Sequence, residues 1–280
     1  MRKQHTVIGG GGLQLNVMES GRADGPVIFM IHGWSQSYMT WIKQIESKLS
    51  DEFRLVAMDL RGHGMSQAPL EQAAYTDAQL WADDVHAVIE ALELKCPTLV
   101  GWSYGGFVMT DYVRAYGDDN IAGINFVCAA VKIGEGALGT VIGPGFYEHF
   151  EDATSSDLER SIDGIRRFVE RCFKVKLSRQ EYERILCWNM TARPDVRASL
   201  AAREIDASDV LQSLKVPALI TQGRDDITVL PSMAEFIDEH CETGTLSWYD
   251  GVAHGPFIEE SERFNDELAV FVRAANASRG

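Results

Sequence analysis

Thr98-Leu-Val-Gly-Trp-Ser-Tyr-Gly-Gly-Phe-Val-Met109 compresses an apolar strand, a sharp turn and the start of a helix into one short stretch. Its core is the pattern Gly101-x-Ser103-x-Gly105, which places a serine at the turn, in a strained backbone geometry that lifts the hydroxyl above the edge of a sheet. Glycines stand two residues to either side because a Cβ there would collide where strand crosses helix. The pattern is short, and a chain with 25 glycines can produce it by chance. What decides its meaning is whether the rest of the chain supplies what such a serine requires.

The surrounding segments read as strand alternating with helix. Pro26-Val-Ile-Phe-Met-Ile31 is a near-continuous apolar run ending in His32-Gly33-Trp34-Ser35, the mark of a strand buried on both faces of a parallel sheet. Phe53-Arg-Leu-Val-Ala-Met-Asp59 is a second such strand, followed by the tight loop Leu60-Arg-Gly-His-Gly64. Further strands are expected over residues 121–130, Val216-Pro-Ala-Leu-Ile-Thr-Gln222 and Thr245-Leu-Ser-Trp-Tyr249. Helices are expected over residues 38–49, 76–92 (capped by Thr76, with Asp77 in its first turn), 232–241 and 262–275. Helical spacing makes Trp41 a core residue. The first strands, near His5 and Val17, form a hairpin around Gly9-Gly-Gly-Gly12, which is a turn; no lysine and no helix follow it to make a phosphate cradle. The whole predicts an open, doubly wound α/β sheet.

One segment interrupts the alternation. Residues 131–214 contain no strand-like run, only charged helical stretches such as 157–173 and 179–188, and an insertion of this kind serves as a lid over a substrate. The expected organisation is a core of residues 1–133 and 209–280 with a helical cap over residues 134–208.

Composition excludes several function classes. A formal net charge of −15 over 280 residues argues against nucleic acid or an anionic membrane as partner. No stretch is apolar for long enough to be a signal or a span, and the five scattered cysteines (Cys96, Cys128, Cys172, Cys187, Cys241) form no C-x-x-C pair, so reduced thiols in a cytoplasmic protein are expected. No two histidines or cysteines show zinc-ligand spacing, and no metal or cofactor is expected. His32 and His63, both beside glycines, are expected to bond backbone.

A serine hydroxyl is a poor nucleophile at neutral pH and needs a histidine base, itself oriented by a carboxylate. Beyond Ser103 the candidates for the base are His240 and His254. His240 ends a charged helix, where the helix dipole favours a cation; His254 lies in the loop Asp250-Gly-Val-Ala-His-Gly-Pro-Phe257 after the last strand and is the candidate base. Gly223-Arg-Asp-Asp226 supplies two adjacent carboxylates whose side chains diverge, so only one, Asp225 or Asp226, can hold the imidazole. The negative charge developing on a substrate oxygen needs donors, and the backbone N–H groups of Tyr104 and Trp34 are the candidates. Ser35, Trp188 and Met190 are the candidate pocket residues.

In these segments the chain resembles the α/β-hydrolase superfamily over essentially its whole length: His32-Gly33-Trp34, Asp59-Leu-Arg-Gly-His-Gly64, Gly101-Trp-Ser-Tyr-Gly-Gly106, Gly223-Arg-Asp-Asp226 and Gly251-Val-Ala-His254-Gly-Pro-Phe257 occur in the family's order. It looks most like the carboxylesterase, lactonase and cofactor-free haloperoxidase (perhydrolase) group, with a helical cap after the sixth strand. The resemblance implies Ser103 as nucleophile, His254 as base and Asp226 as acid. The family usually places a proline four residues after that aspartate. Here Pro231 comes five after Asp226, a departure that keeps Asp225 as the alternative. The implied activity is cleavage of a small neutral ester or lactone without a cofactor. Perhydrolase, carbon–carbon bond hydrolase and cofactor-free dioxygenase chemistry, or a small-ligand receptor with little turnover, are the alternatives on the same fold.

Overall fold

The computed structural model describes residues 2–134 and 136–278. The described residues form ten strands: β1 (Lys3–Ile8), β2 (Gln14–Gly21), β3 (Val27–Ile31), β4 (Arg54–Met58), β5 (Thr98–Trp102), β6 (Gly123–Val127), β7 (Lys132–Ile133), β8 (Ile205–Asp206), β9 (Ala218–Gly223) and β10 (Gly244–Tyr249). Eight of them form one sheet in the order β1-β2-β4-β3-β5-β6-β9-β10. The β1–β2 and β2–β4 pairs are antiparallel and every other pair in that sheet is parallel. Strands β3, β5, β6 and β9 are buried at every residue, as the unbroken apolar runs require. This is the α/β-hydrolase architecture expected from the sequence, and none of its described helices is long and apolar enough to cross a membrane.

Helices Ala78–Ala91, Gly105–Tyr116, Pro231–His240 and Ser261–Ala277 cover the sheet. The first begins two residues later than the sequence predicts. Asp77 is its cap, accepting from Gln79 N, while Thr76 ends a preceding short helix. The helix expected over residues 38–49 is broken into the short turns Tyr38–Trp41, Ile42–Ile45 and Leu49–Glu52, although Trp41 is fully buried as expected. In the glycine turn, Gly10 N donates to Asp84 Oδ1 at 2.8 Å. Asp84 also pairs with the buried Arg61 at 2.8 Å, so this turn is tied to the core by an internal carboxylate.

Residues 144–201 are helical, chiefly Leu158–Cys172, Arg179–Asn189 and Pro194–Ala201. Asp157 caps the first of these, and Ser178 with Glu181 forms a capping box on the second. The segment does contain strand, contrary to expectation: Lys132–Ile133 pairs antiparallel with Ile205–Asp206. Two residues per strand are too few to show an alternation, and the pair clasps the two ends of the inserted segment.

Candidate active site

Strand β5 ends against helix Gly105–Tyr116 with Ser103 between them at φ +53°. The flanking glycines are steric necessities. A Cβ on Gly101 would lie 2.8 Å from the backbone oxygen of Gly105, and one on Gly105 would lie 2.6 Å from Ile31 O. The turn is pinned by Ser103 N donating to Val127 O at 3.1 Å and by Ala130 N donating to Ser103 O at 2.9 Å. Ser35 (φ +59°) and Cys128 (φ +40°) also hold left-handed backbone that costs a residue with a side chain about 1–3 kcal/mol, and such outliers concentrate at working sites.

His254 Nδ1 lies 2.7 Å from Asp226 Oδ2, with both side chains sealed from solvent. Asp226 is itself fixed: its Oδ1 accepts from Thr228 N (2.8 Å) and Val229 N (3.1 Å), and its Oδ2 from Gln222 Nε2 (3.2 Å). With Nδ1 engaged, Nε2 is the basic nitrogen, and it is a buried atom with no hydrogen-bond partner. The His254 backbone is held by its N–H to Cys172 O (2.9 Å) and by Trp102 Nε1 donating to its carbonyl (2.7 Å). Asp225 points away and forms an ion pair with Lys174 at the surface. The extra residue before Pro231 is absorbed in the turn, and Pro231 opens the next helix as its first residue.

Trp34 follows β3, and Tyr104 caps helix Gly105–Tyr116. Among the described residues the backbone N–H groups of both donate to no protein acceptor. A cavity of about 30 Å³ adjoins Ser103, walled by Trp34, Tyr104, Phe107, Phe146, Thr228 and Val229, among others. Ile133 and Phe146 line both this cavity and an outer groove of about 510 Å³ that also takes in Leu138, Tyr147, Phe150, Glu151 and Glu204.

The expected pocket residues lie elsewhere. Ser35, Trp188 and Met190 are not among the residues lining the cavity beside Ser103; Ser35 Oγ donates to Asn189 O (2.9 Å), Trp188 Nε1 donates to Gln36 Oε1 (2.7 Å), and Met190 Sδ lies 3.6 Å from Arg197. Thr228 and Val229 could have been foreseen as the residues that follow a strand's carboxyl end and its aspartate. Phe146 could not, because nothing periodic marks its segment.

His32 and His63 make the backbone bonds expected of them. His32 Nδ1 donates to Gly33 O (2.8 Å) and its Nε2 accepts from Leu60 N (3.0 Å), while His63 Nδ1 donates to Arg61 O (2.9 Å) and its Nε2 accepts from Ser35 N (3.2 Å). Burial pushes both imidazoles toward the neutral form, His63 down to about 4. His240 Nδ1 bonds Phe236 O in its own helix. One trio escaped the sequence: Cys128 Sγ, an Asp226 carboxylate oxygen and a His254 ring nitrogen lie within 4.8 Å of one another. Burial, followed by the Asp226 charge, raises the Cys128 thiol well above its ordinary range, so it stands beside the pair as S–H rather than as a thiolate ligand.

The sheet order, the strained Ser103 turn after β5 and the buried His254–Asp226 pair after the later strands fit the fold of the α/β-hydrolase family. The chain belongs to that family: the model described as alpha/beta hydrolase fold matches residues 26–182. It is similar to the bifunctional esterase/perhydrolase of Acinetobacter calcoaceticus, 28% identical over 274 residues, covering 94% of this chain and 97% of that one. It is also similar to a non-heme chloroperoxidase of Streptomyces lividans, 28% identical over 284 residues, covering 96% and 99%. Among solved structures, the esterase RhEst1 from Rhodococcus sp. ECU1013 superposes with a TM-score of 0.90 at 31% identity, covering 97% of this chain and 99% of that one.

Proposed function

We propose that the protein is a carboxylic ester hydrolase that cleaves small neutral esters or lactones through Ser103, His254 and Asp226. Ser103 Oγ attacks the carbonyl carbon as His254 Nε2 takes its proton, and the N–H groups of Trp34 and Tyr104 receive the oxyanion. Collapse expels the alcohol, which takes the proton from His254 and leaves an acyl-enzyme. Water, deprotonated by the same nitrogen, then releases the acid.

The observation that carries this reading is the buried pairing of His254 with Asp226 at 2.7 Å, with Ser103 held at φ +53° directly after Trp102, whose indole N–H donates to the His254 carbonyl at 2.7 Å. Glu151 and Glu204 on the outer groove and the net charge of −15 disfavour an anionic substrate. The remaining groove cation, Arg203, is already bound to Asp111 at 2.7 Å. The relatives named as esterases fit the same chemistry. The test is a panel of esters of graded acyl length and of lactones on wild type and Ser103→Ala. Turnover by wild type and none by the variant supports the reading; binding without turnover by both supports a receptor.

A second reading is favoured by relatives named for perhydrolase and chloroperoxidase activity. Hydrogen peroxide would replace water at the acyl-enzyme and release a peracid, detectable from acetate and peroxide.

A further inference from the structure

Arg197 is fully buried in the inserted helical segment, and no carboxylate among the described residues pairs with it. Its guanidinium is nevertheless saturated by neutral acceptors on four separate elements. Nε donates to Ser35 Oγ (3.0 Å), Nη1 to Ala153 O (2.7 Å) and Ser161 Oγ (2.9 Å), and Nη2 to Asn189 O (3.1 Å). Its backbone carbonyl accepts from the indole N–H of Trp34 at 3.0 Å. Burial without a counter-ion is costly, and it lowers the guanidinium to about 10. An apolar side chain would fill the same volume more cheaply, so what the arginine adds is geometry: a planar fork that fixes several groups at once.

The groups it fixes converge on one turn of the core. Ser35 is held at φ +59°, a strained backbone that persists only when its surroundings over-determine it. Its N–H goes to His63, its hydroxyl donates to Asn189 O and accepts from Arg197. The next residue, Gln36, is held on the same side: its Oε1 accepts from Trp188 Nε1 (2.7 Å) and Asn189 Nδ2 (3.3 Å), and its Nε2 donates to Asn189 Oδ1 (3.1 Å). Trp34, immediately before Ser35, is therefore bracketed by bonds from its own indole and from both following side chains to the helical segment. Its backbone N–H is left free.

We propose that Arg197 is a positioning residue for the oxyanion site: through Ser35 and the Trp34 indole it locks the inserted helices onto the turn that carries the Trp34 N–H. The inserted segment is then part of the hydrolytic machinery as well as a cover for it. This rests on the hydrolase reading given above.

Arg197→Met removes the fork and leaves similar volume. The proposal predicts kcat lower by about 10- to 100-fold with KM changed by less than about threefold, because a displaced donor weakens the transition state and not the ground state. Arg197→Lys keeps a charge without the fork and recovers little of the loss. Full recovery by lysine, a loss carried by KM, or an unchanged kcat in folded Arg197→Met overturns the proposal. Should the methionine variant not fold, Ser35→Ala carries the same test, since it leaves the guanidinium its other acceptors; a kcat within twofold of wild type overturns it. Amide hydrogen exchange provides a readout that needs no turnover. In Arg197→Met, peptides spanning residues 33–37 lose protection together with those spanning 185–190, while the Ser103 turn keeps its own; unchanged exchange in the first peptide overturns the lock even if the protein hydrolyses no ester. Absence of turnover in wild type with this exchange pattern intact overturns the hydrolase reading alone.

Discussion

His254 Nδ1 and Asp226 Oδ2 are 2.7 Å apart in a pocket closed to water, while the neighbouring Asp225 reaches the surface and pairs with Lys174. Two adjacent carboxylates thus have opposite environments, and substitution separates them. Asp226→Asn removes the acceptor that sets the imidazole tautomer and is expected to lower kcat by about 10⁴-fold. Asp225→Asn loses one exposed ion pair and is expected to keep both kcat and stability close to wild type. Steady-state kinetics of the two variants checks the assignment.

Strain at Ser103 yields a stability prediction of opposite sign to the activity one. Its φ of +53° is a conformation that glycine adopts freely, so Ser103→Gly relieves part of the about 1–3 kcal/mol stored there while abolishing turnover. A Tm raised by about 2 °C or more in calorimetry is expected. A lower Tm would show that the turn is not strained.

Acid sensitivity follows from the two buried histidines. His63 titrates near 4 in the folded protein against 6.5 unfolded, because burial disfavours its cation, and His32 is shifted the same way. The unfolded chain binds the extra protons first. Their contribution is therefore fully present above about pH 6.5 and is lost as pH falls toward 4, by about 3 kcal/mol for His63 alone. Thermal denaturation followed from pH 7.5 to 4.5 should show Tm declining below pH 6.5, with a shallower decline in His63→Asn.

The cavity beside Ser103 is small, about 30 Å³, and Phe146 lines both it and the roughly 510 Å³ groove outside. Phe146→Ala should merge the two spaces. The expected outcome is a shift of the preferred acyl chain by several carbons, with kcat/KM for acetyl esters unchanged or lower. A chain-length series on both proteins measures it.

Much of this was legible in the sequence because it is written in local signals. The buried strands are unbroken apolar runs, the Ser103 turn needs glycines at fixed offsets, and His254 sits in a loop with no other use for it. The helical stretch after β6 was legible as an interruption of the strand pattern, but its internal contacts were not. Ser35, Trp188 and Met190 were candidates for the pocket, although aromatic and methionine positions on a helix more often serve packing. Their partners, Gln36, Asn189 and Arg197, are fixed by long-range packing that no spacing reveals. Spacing alone left Asp225 and Asp226 open and the resemblance favoured Asp226; the fold turns Asp226 inward to His254 and Asp225 outward to Lys174.

Labelling with a fluorophosphonate probe, followed by peptide mass mapping, tests the central claim most directly. An activated serine with a base and an oxyanion site is phosphonylated rapidly, whereas an ordinary surface serine is inert. The account predicts a single modified peptide carrying the label on Ser103, with labelling abolished in Ser103→Ala and strongly slowed in His254→Ala. A label on another residue, or none on the folded protein, would contradict it.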